Sequence, residues 1–377
     1  MLAKIEVSNF KSFNENFIFD LSDTNSFSFN PECVKNKIVN KAIIYGQNGC
    51  GKSNLGFAIF DLISHMTDKQ KIEGYYQNYL NADTKKKVAT FKFTFKFDEN
   101  IVEYIYTKTD YQTLKSEKLL IDGNNFASID RGKSTVFKTS AKGAENLKRD
   151  IGDSNISIIS YIDKNTVLES DSTNKVFKKF IDFVNKMLYF RHLDDKKCYM
   201  GLQQGGGFIS TDIVENGNLK DFETFLNDVG INCKLISKKI GDEYDIYFKF
   251  KNKEIDFFDI ASSGTLSLSR FYVWYQKLKE ENKVSFLFID EFDAFYHHAL
   301  SRSVIERLKE VTNTQVIVTT HNTSIISNDL LRPDCYFLMY PDKIKSLAKS
   351  TQKELREAHN IETAEYTLSD SGRFLFD

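Results

Sequence analysis

The chain is poor in proline, with three among 377 residues. Set beside the heavy use of Lys, Asn, Ile and Phe, this is the bias of an AT-rich microbial genome and bears on no mechanism. Its five cysteines, Cys33, Cys50, Cys198, Cys233 and Cys335, are scattered without a CxxC pair. That spacing argues against a zinc site and reads as reduced thiols in a cytosolic protein. No apolar run approaches the roughly 18 residues that cross a bilayer. The opening Met1-Leu2-Ala3-Lys4-Ile5-Glu6 lacks the pattern of a signal peptide. The expectation is a cytoplasmic protein without a membrane partner. Charge of one sign is lacking too: the net charge is −1, which excludes a globally basic nucleic-acid coat but leaves a local basic groove open. We find neither an internal repeat nor a heptad run long enough for a coiled-coil arm.

What the chain does have is apolar bulk. Hydrophobic residues make up 41%, including 33 Phe and 18 Tyr, enough for one large domain or two lobes. Residues 1–20 read as two strands. Ala42–Tyr45 reads as a third that runs into a glycine-rich turn, followed by a helix with Leu55, Ile59, Leu62 and Ile63 on one face. Phe91, Phe93, Phe95 and Phe97 alternate with polar residues, Asp98-Glu99-Asn100 turns the chain, and Val102, Tyr104 and Tyr106 return, the pattern of a half-buried hairpin. Ile156–Tyr161 is expected to add a strand. Phe177, Phe180, Ile181, Val184, Met187 and Leu188 share a helix face. Gly205-Gly206-Gly207 reads as a flexible loop, without the strand-to-helix frame of a phosphate site. A short helix around Phe222–Leu226 and a hairpin with Tyr244, Ile246, Phe248 and Phe250 follow. The last third alternates: helix 264–281, strand 284–289, helix 298–311, strand 315–319, a βαβ rhythm. Four segments result: 1–165, a lobe with the glycine-rich turn and an antiparallel subdomain; 166–255, an inserted helical and hairpin lobe; 256–345, the rest of the core; and 346–377, a tail.

Four motifs carry chemistry. Gly46-Gln47-Asn48-Gly49-Cys50-Gly51-Lys52-Ser53 is a complete GxxxxGK[ST] loop between a strand and a helix. Its glycines let successive N–H groups face phosphate oxygens, Lys52 reaches the β- and γ-phosphates, and the Ser53 hydroxyl ligates Mg²⁺. Phe286-Leu287-Phe288-Ile289-Asp290-Glu291 is an apolar strand ending in two carboxylates, with Asp290 placed for Mg²⁺ and Glu291 for polarising a water. Ser262-Ser263-Gly264 precedes a helix just upstream of that strand; it reads either as an ordinary N-cap or as a helix start suited to a γ-phosphate. Val316–Asn322 is a buried strand ending in His321, where an imidazole can donate to a γ-phosphate, although a strand-end His is often structural. ATP and Mg²⁺ are the expected cofactors.

These elements in this order resemble the ABC-type ATPase heads of the RecF/SMC class. Ile5-Glu6-Val7-Ser8-Asn9-Phe10-Lys11-Ser12-Phe13 is similar to the start of such heads. The resemblance is more specific to short bacterial AAA-type ATPases of abortive-infection and antiphage systems. It is carried by Asp290–Ala294, Thr319–Thr323, Leu331–Asp334, Leu355-Arg356-Glu357 and Gly372-Arg373-Phe374. It implies an α/β P-loop NTPase fold of ABC/RecF-SMC head type: mixed and parallel sheets, helices on both faces, and an inserted α+β lobe. It further implies a homodimer or higher even homo-oligomer in which ATP is sandwiched, with Ser262, Ser263 and Gly264 acting in trans on a neighbour's nucleotide. The resemblance covers residues 110–255 hardly at all. His297 stands where many ABC proteins place a D-loop aspartate, and no glutamine emerges for a Q-loop near Ser160–Asp163.

The function implied is an ATPase that senses or gates a separately encoded effector, a nuclease or toxin. The alternative is a RecF-like DNA-binding ATPase of repair, with Lys85-Lys86-Lys87 and Lys178-Lys179 as basic candidates that also read as solvated faces. A P-loop kinase or GTPase leaves Ser262–Gly264 and His321 unexplained, and no NKxD-type guanine motif is present.

Overall fold

The computed structural model describes residues 1–69, 72–191, 199–202, 209–280 and 283–350, with Tyr199 described in its backbone alone. Gly205–Gly207, Leu355–Glu357 and Gly372–Phe374, which the sequence reading singled out, lie outside the described residues. Among these residues two seven-stranded sheets dominate.

The first sheet is antiparallel throughout. Its strands run, side by side, Lys138–Thr139, Asn124–Asp130, Leu114–Ile121, Asn100–Lys108, Ala89–Phe97, Leu2–Ser8 and Phe17–Asp20. Alternation explains it: Phe91, Phe93, Phe95, Val102, Tyr104 and Tyr106 are buried, while Lys92 and Glu103 pair on the open face at 2.8 Å. The Phe91 and Tyr106 rings stack across the strands with centroids 4.9 Å apart.

The second sheet carries the motifs. Its order is Tyr199–Gly201, Met187–Arg191, Phe286–Asp290, Gln315–Thr320, Lys41–Tyr45, Tyr336–Met339 and Ile344–Ser346. The inner five strands are parallel and the two edge strands antiparallel. Continuous apolar runs such as Phe286–Ile289 and Val316–Val318 suit strands buried on both faces. The loops at the C-terminal ends of the parallel strands therefore sit along one edge, where open α/β sheets hold ligands.

Two devices join the sheets. The helix Ser172–Asn185 lays Phe180 and Phe183 on Phe95 of the first sheet, and Phe183 also meets Phe286 of the second. The Gln315 carboxamide accepts from Leu2 N and donates to Leu2 O, both at 2.9 Å, which adds a rung between the sheets. The helix Lys52–Phe60 packs closely on the second sheet because residue 56 is glycine; a Cβ there would stand 2.9 Å from both Phe288 and Tyr189. Its C-terminal end is pinned at Asp61. This buried carboxylate pairs with Lys108 at 2.9 Å and accepts from the Tyr79 and Tyr106 hydroxyls.

Three expectations are corrected. Ile156–Tyr161 adds no strand: Ile158–Asn165 is a helix capped by Ser157, whose side chain accepts from Ser160 N. The isoleucine-rich run fits either period, and burial of Ile158, Ile159 and Ile162 on one helical face decides it. The helix bearing Phe177 stops at Asn185, so Met187 and Leu188 belong to a strand that pairs in register with Phe286 and Leu287. Part of the segment 166–255 is thereby built into the motif-bearing sheet. In the hairpin of Leu235–Ile240 and Glu243–Lys249, Ile246 is buried but Phe250 is exposed.

Candidate nucleotide site

The glycine loop links Lys41–Tyr45 to Lys52–Phe60. Gly49 and Gly51 hold φ of +82° and +103°, conformations that L side chains rarely adopt. At Gly46 a Cβ would press to 2.8 Å from the Met339 carbonyl oxygen. Lys52 is buried, and its Nζ donates to Gly46 O at 2.6 Å and Gln47 O at 3.1 Å. The ammonium thus sits over its own loop, held by carbonyls that a phosphate oxygen can replace. The Asn9–Phe13 turn buttresses this loop from outside. Phe10 and Phe13 close on each other through backbone hydrogen bonds, and Ser12 Oγ accepts from Asn54 Nδ2 at 2.8 Å.

Asp290 ends its strand fully buried. Thr319 Oγ1 donates to its Oδ1 at 2.7 Å, and the Tyr189 hydroxyl lies 3.3 Å from Oδ2. Burial pushes the Asp290 carboxyl up; hydrogen bonds from Ser53 and Thr319 and the charge of Arg191 oppose that rise. Ser53 and Asp290 therefore meet across the gap between loop and strand. Their hydroxyl and carboxylate are hard oxygen donors, the set that suits Mg²⁺. Among the described residues no cluster of three or more His, Cys, Asp or Glu could hold a metal, so the other positions around a cation here would fall to nucleotide oxygens and water. The residues fit the ion in that partial sense.

Glu291 turns the chain out of the strand with φ +50°. A left-handed glutamate is strained, and the neighbouring strand holds it: Glu291 N donates to Thr319 Oγ1 at 2.8 Å. One threonine hydroxyl thus serves both carboxylate residues. Arg191, in register with Asp290 on the adjacent strand, places Nη2 3.0 Å from Glu291 Oε2 and Nε 3.5 Å from Asp290 Oδ2. Burial pulls the guanidinium pKa down, but the two carboxylates outweigh it and hold it up.

His321 follows Thr320 directly and is exposed beyond the strand end. Beneath it, Thr320 Oγ1 donates to Asp293 Oδ2 at 2.7 Å, and burial pushes the Asp293 carboxyl up against that bond and the nearby His321 charge. His297 caps the helix His298–Lys309, with Nδ1 accepting from Leu300 N.

Ser262 is the N-cap of the helix Ser263–Lys279, its Oγ accepting from Thr265 N at 3.2 Å. Both Ser262 and Ser263 are exposed. Gly264 abuts the loop after Glu291, since a Cβ there would lie 3.1 Å from Phe295 O. Ser267 and Tyr296 share a hydrogen bond nearby. The structure thus joins Ser53, Asp290 and Glu291 with their bracing residues, and joins the serine segment to the Glu291 loop. Among the described residues no hydrogen bond links Ser262–Gly264 to Gly46–Ser53. The sequence reading quotes Thr319 and Asp293 only inside motifs, without these bracing partners, and gives Arg191 no place; the signal that could have found Arg191 is an arginine closing the apolar run Met187–Phe190.

Residues 41–327, well over half of the chain, match the family described as "AAA domain, putative AbiEii toxin, Type IV TA system". The chain belongs to this AAA family. Its fold is the mixed α/β architecture of a P-loop ATPase, a mixed, mainly parallel motif-bearing sheet beside an antiparallel one. No curated protein matches this AAA chain. Three solved heads of SMC proteins are similar in shape. One, bound to the C-terminal winged-helix domain of ScpA, shares 17% identity over 93% of this chain and 99% of its own at a TM-score of 0.49. The SMC head of Thermotoga maritima shares 15% identity over 92% and 98% at 0.44. A third SMC head, bound to the C-terminal domain of ScpA derived from Pyrococcus furiosus, shares 16% identity over 98% and 99% at 0.42. Among the described residues of this AAA chain, no helix is long and apolar enough to cross a membrane.

Proposed function

We propose that the protein binds and hydrolyses ATP with Mg²⁺, and that its site is completed by the Ser262–Gly264 segment of a second copy. What carries this reading is the meeting of Ser53, Asp290, Glu291 and the Lys52 loop along one sheet edge, while Ser262 and Ser263 stand exposed on a helix start. Lys52 releases its two carbonyl partners for the β- and γ-phosphate oxygens. Ser53 and Asp290 hold the ion, directly or through water; when bound, Mg²⁺ neutralises charge on those oxygens. Glu291 accepts the proton of the attacking water, and His321 donates to the γ-phosphate from its exposed strand end. A partner's Ser263 and its helix N-terminus face that phosphate from the other side.

The output is assigned to a separately encoded effector, a toxin or nuclease, whose state follows head closure. The toxin–antitoxin wording of the family supports this reading. Nucleic-acid degradation by the purified protein alone, abolished by Lys52→Ala, would refute it. The DNA-repair alternative receives no support from the helix lysines: Lys178 and Lys179 are ion-paired to Asp163 and Asp98. The reading is tested by light scattering on Glu291→Gln with and without ATP and Mg²⁺. ATP-dependent doubling of mass is expected, and a monomer under both conditions would overturn it.

A further inference from the structure

Arg191 has no counterpart among the motif residues, yet it is the nearest cation to both carboxylates among the described contacts. Three observations define it. It ends the strand Met187–Arg191 directly opposite Asp290, so the parallel register delivers it there without loop freedom. Its Nη2 grips a single oxygen of Glu291, Oε2, at 3.0 Å. Its Nε is buried without a hydrogen-bond partner and points toward Asp290 Oδ2 at a distance of 3.5 Å, too long for a full bond. The guanidinium is therefore committed to Glu291 and only leans toward Asp290.

That asymmetry has chemical consequences. Glu291 opens the turn after its strand, with Ala294 N donating to its carbonyl, and the cation that grips its carboxylate among the described contacts is Arg191; a general base is useful only when its carboxylate oxygen is held within hydrogen-bond reach of the water. A monodentate grip on Oε2 orients the carboxyl group and leaves Oε1 open. A fixed cation beside Asp290 also opposes the approach of a second, divalent one, because like charges a few ångströms apart repel strongly in a half-buried site.

We propose that Arg191 is a positioning residue of the ATPase site: it aims Glu291 at the attacking water, and its charge sets how much Mg²⁺ the site needs. The inference rests on the ATPase reading above. It assigns Arg191 no contact with the nucleotide.

The test uses the full chain as wild type, Arg191→Gln, Arg191→Lys, Glu291→Gln and the double variant Arg191→Gln/Glu291→Gln. Two readouts are taken: steady-state phosphate release, and binding of a fluorescent ATP analogue titrated with Mg²⁺. Arg191→Gln is expected to lower kcat about 10- to 100-fold while KM changes less than about threefold. Its Mg²⁺ half-saturation for analogue binding should fall about threefold or more, a shift a purely structural role would not produce. Arg191→Lys keeps the charge and should retain the wild-type Mg²⁺ requirement with partial activity. The double variant should be no slower than Glu291→Gln alone, since Arg191 acts through Glu291. An unchanged kcat in Arg191→Gln, an unchanged or higher Mg²⁺ requirement, or a further loss in the double variant would overturn the proposal. If wild type and Glu291→Gln release phosphate equally, the ATPase assignment of Glu291 fails instead, and the Mg²⁺ titration still judges Arg191.

Discussion

The two halves of the proposed ATP site are built differently. The half with Lys52, Ser53, Asp290 and Glu291 is buried or nearly so and cross-braced. Thr319 serves both carboxylate residues, Arg191 grips Glu291, and Gly46 and Gly56 let loop and helix close onto neighbouring strands. The half with Ser262 and Ser263 is exposed and held by its own helix cap and by the contact of Gly264 with the Phe295 carbonyl. Preorganisation is thus concentrated where phosphate and water would be handled, and the serine segment is presented as a surface. A site so divided is economical if the second half belongs to another molecule.

Substitutions can break that comparison, the largest effects lying in the braced half. Lys52→Ala removes the ammonium over the loop and should weaken ATP binding by about 100-fold or more, read by analogue fluorescence. Glu291→Gln should keep affinity but lower kcat about 10²- to 10³-fold in phosphate-release assays. Thr319→Val preserves shape but strips the shared hydroxyl from Asp290 and from Glu291 N. It should cost about 1–3 kcal/mol in urea unfolding and slow turnover about tenfold. In the exposed half, Ser263→Arg should abolish turnover with stability within about 0.5 kcal/mol of wild type. Ser262→Ala should lose the helix cap, about 1 kcal/mol in urea unfolding. Equal stability losses from Thr319→Val and Ser263→Arg would erase the distinction between the halves.

The comparison also explains what could be read in advance. The loop, the carboxylate strand and the serine cap announce themselves because each is a short contiguous string whose spacing follows from its own chemistry. The Phe91–Tyr106 hairpin was equally plain, since one face is wholly apolar. The next hairpin, Leu114–Ile121 with Asn124–Asp130, went unread because Glu117 occupies an inward position and breaks the alternation; it is buried and satisfied by Tyr104, Ser157 and Ile158 N. Arg191 was hidden by a boundary. Met187 and Leu188 continue the apolar spacing of the preceding helix, and only pairing with Phe286 and Leu287 turns them into a strand. The role of Thr319 is invisible in its strand's sequence because its partners lie 28 and 29 residues away.

The central claim, that one copy supplies the serines for another's nucleotide, is tested most directly by mixing Lys52→Ala with Ser263→Arg. Each alone should be inactive. In a mixed dimer one site combines both defects and the other combines two intact halves, so an equal mixture should recover roughly a quarter of wild-type phosphate release. A mixture as inactive as its components, with mixed dimers demonstrated by differential tags, would contradict the account.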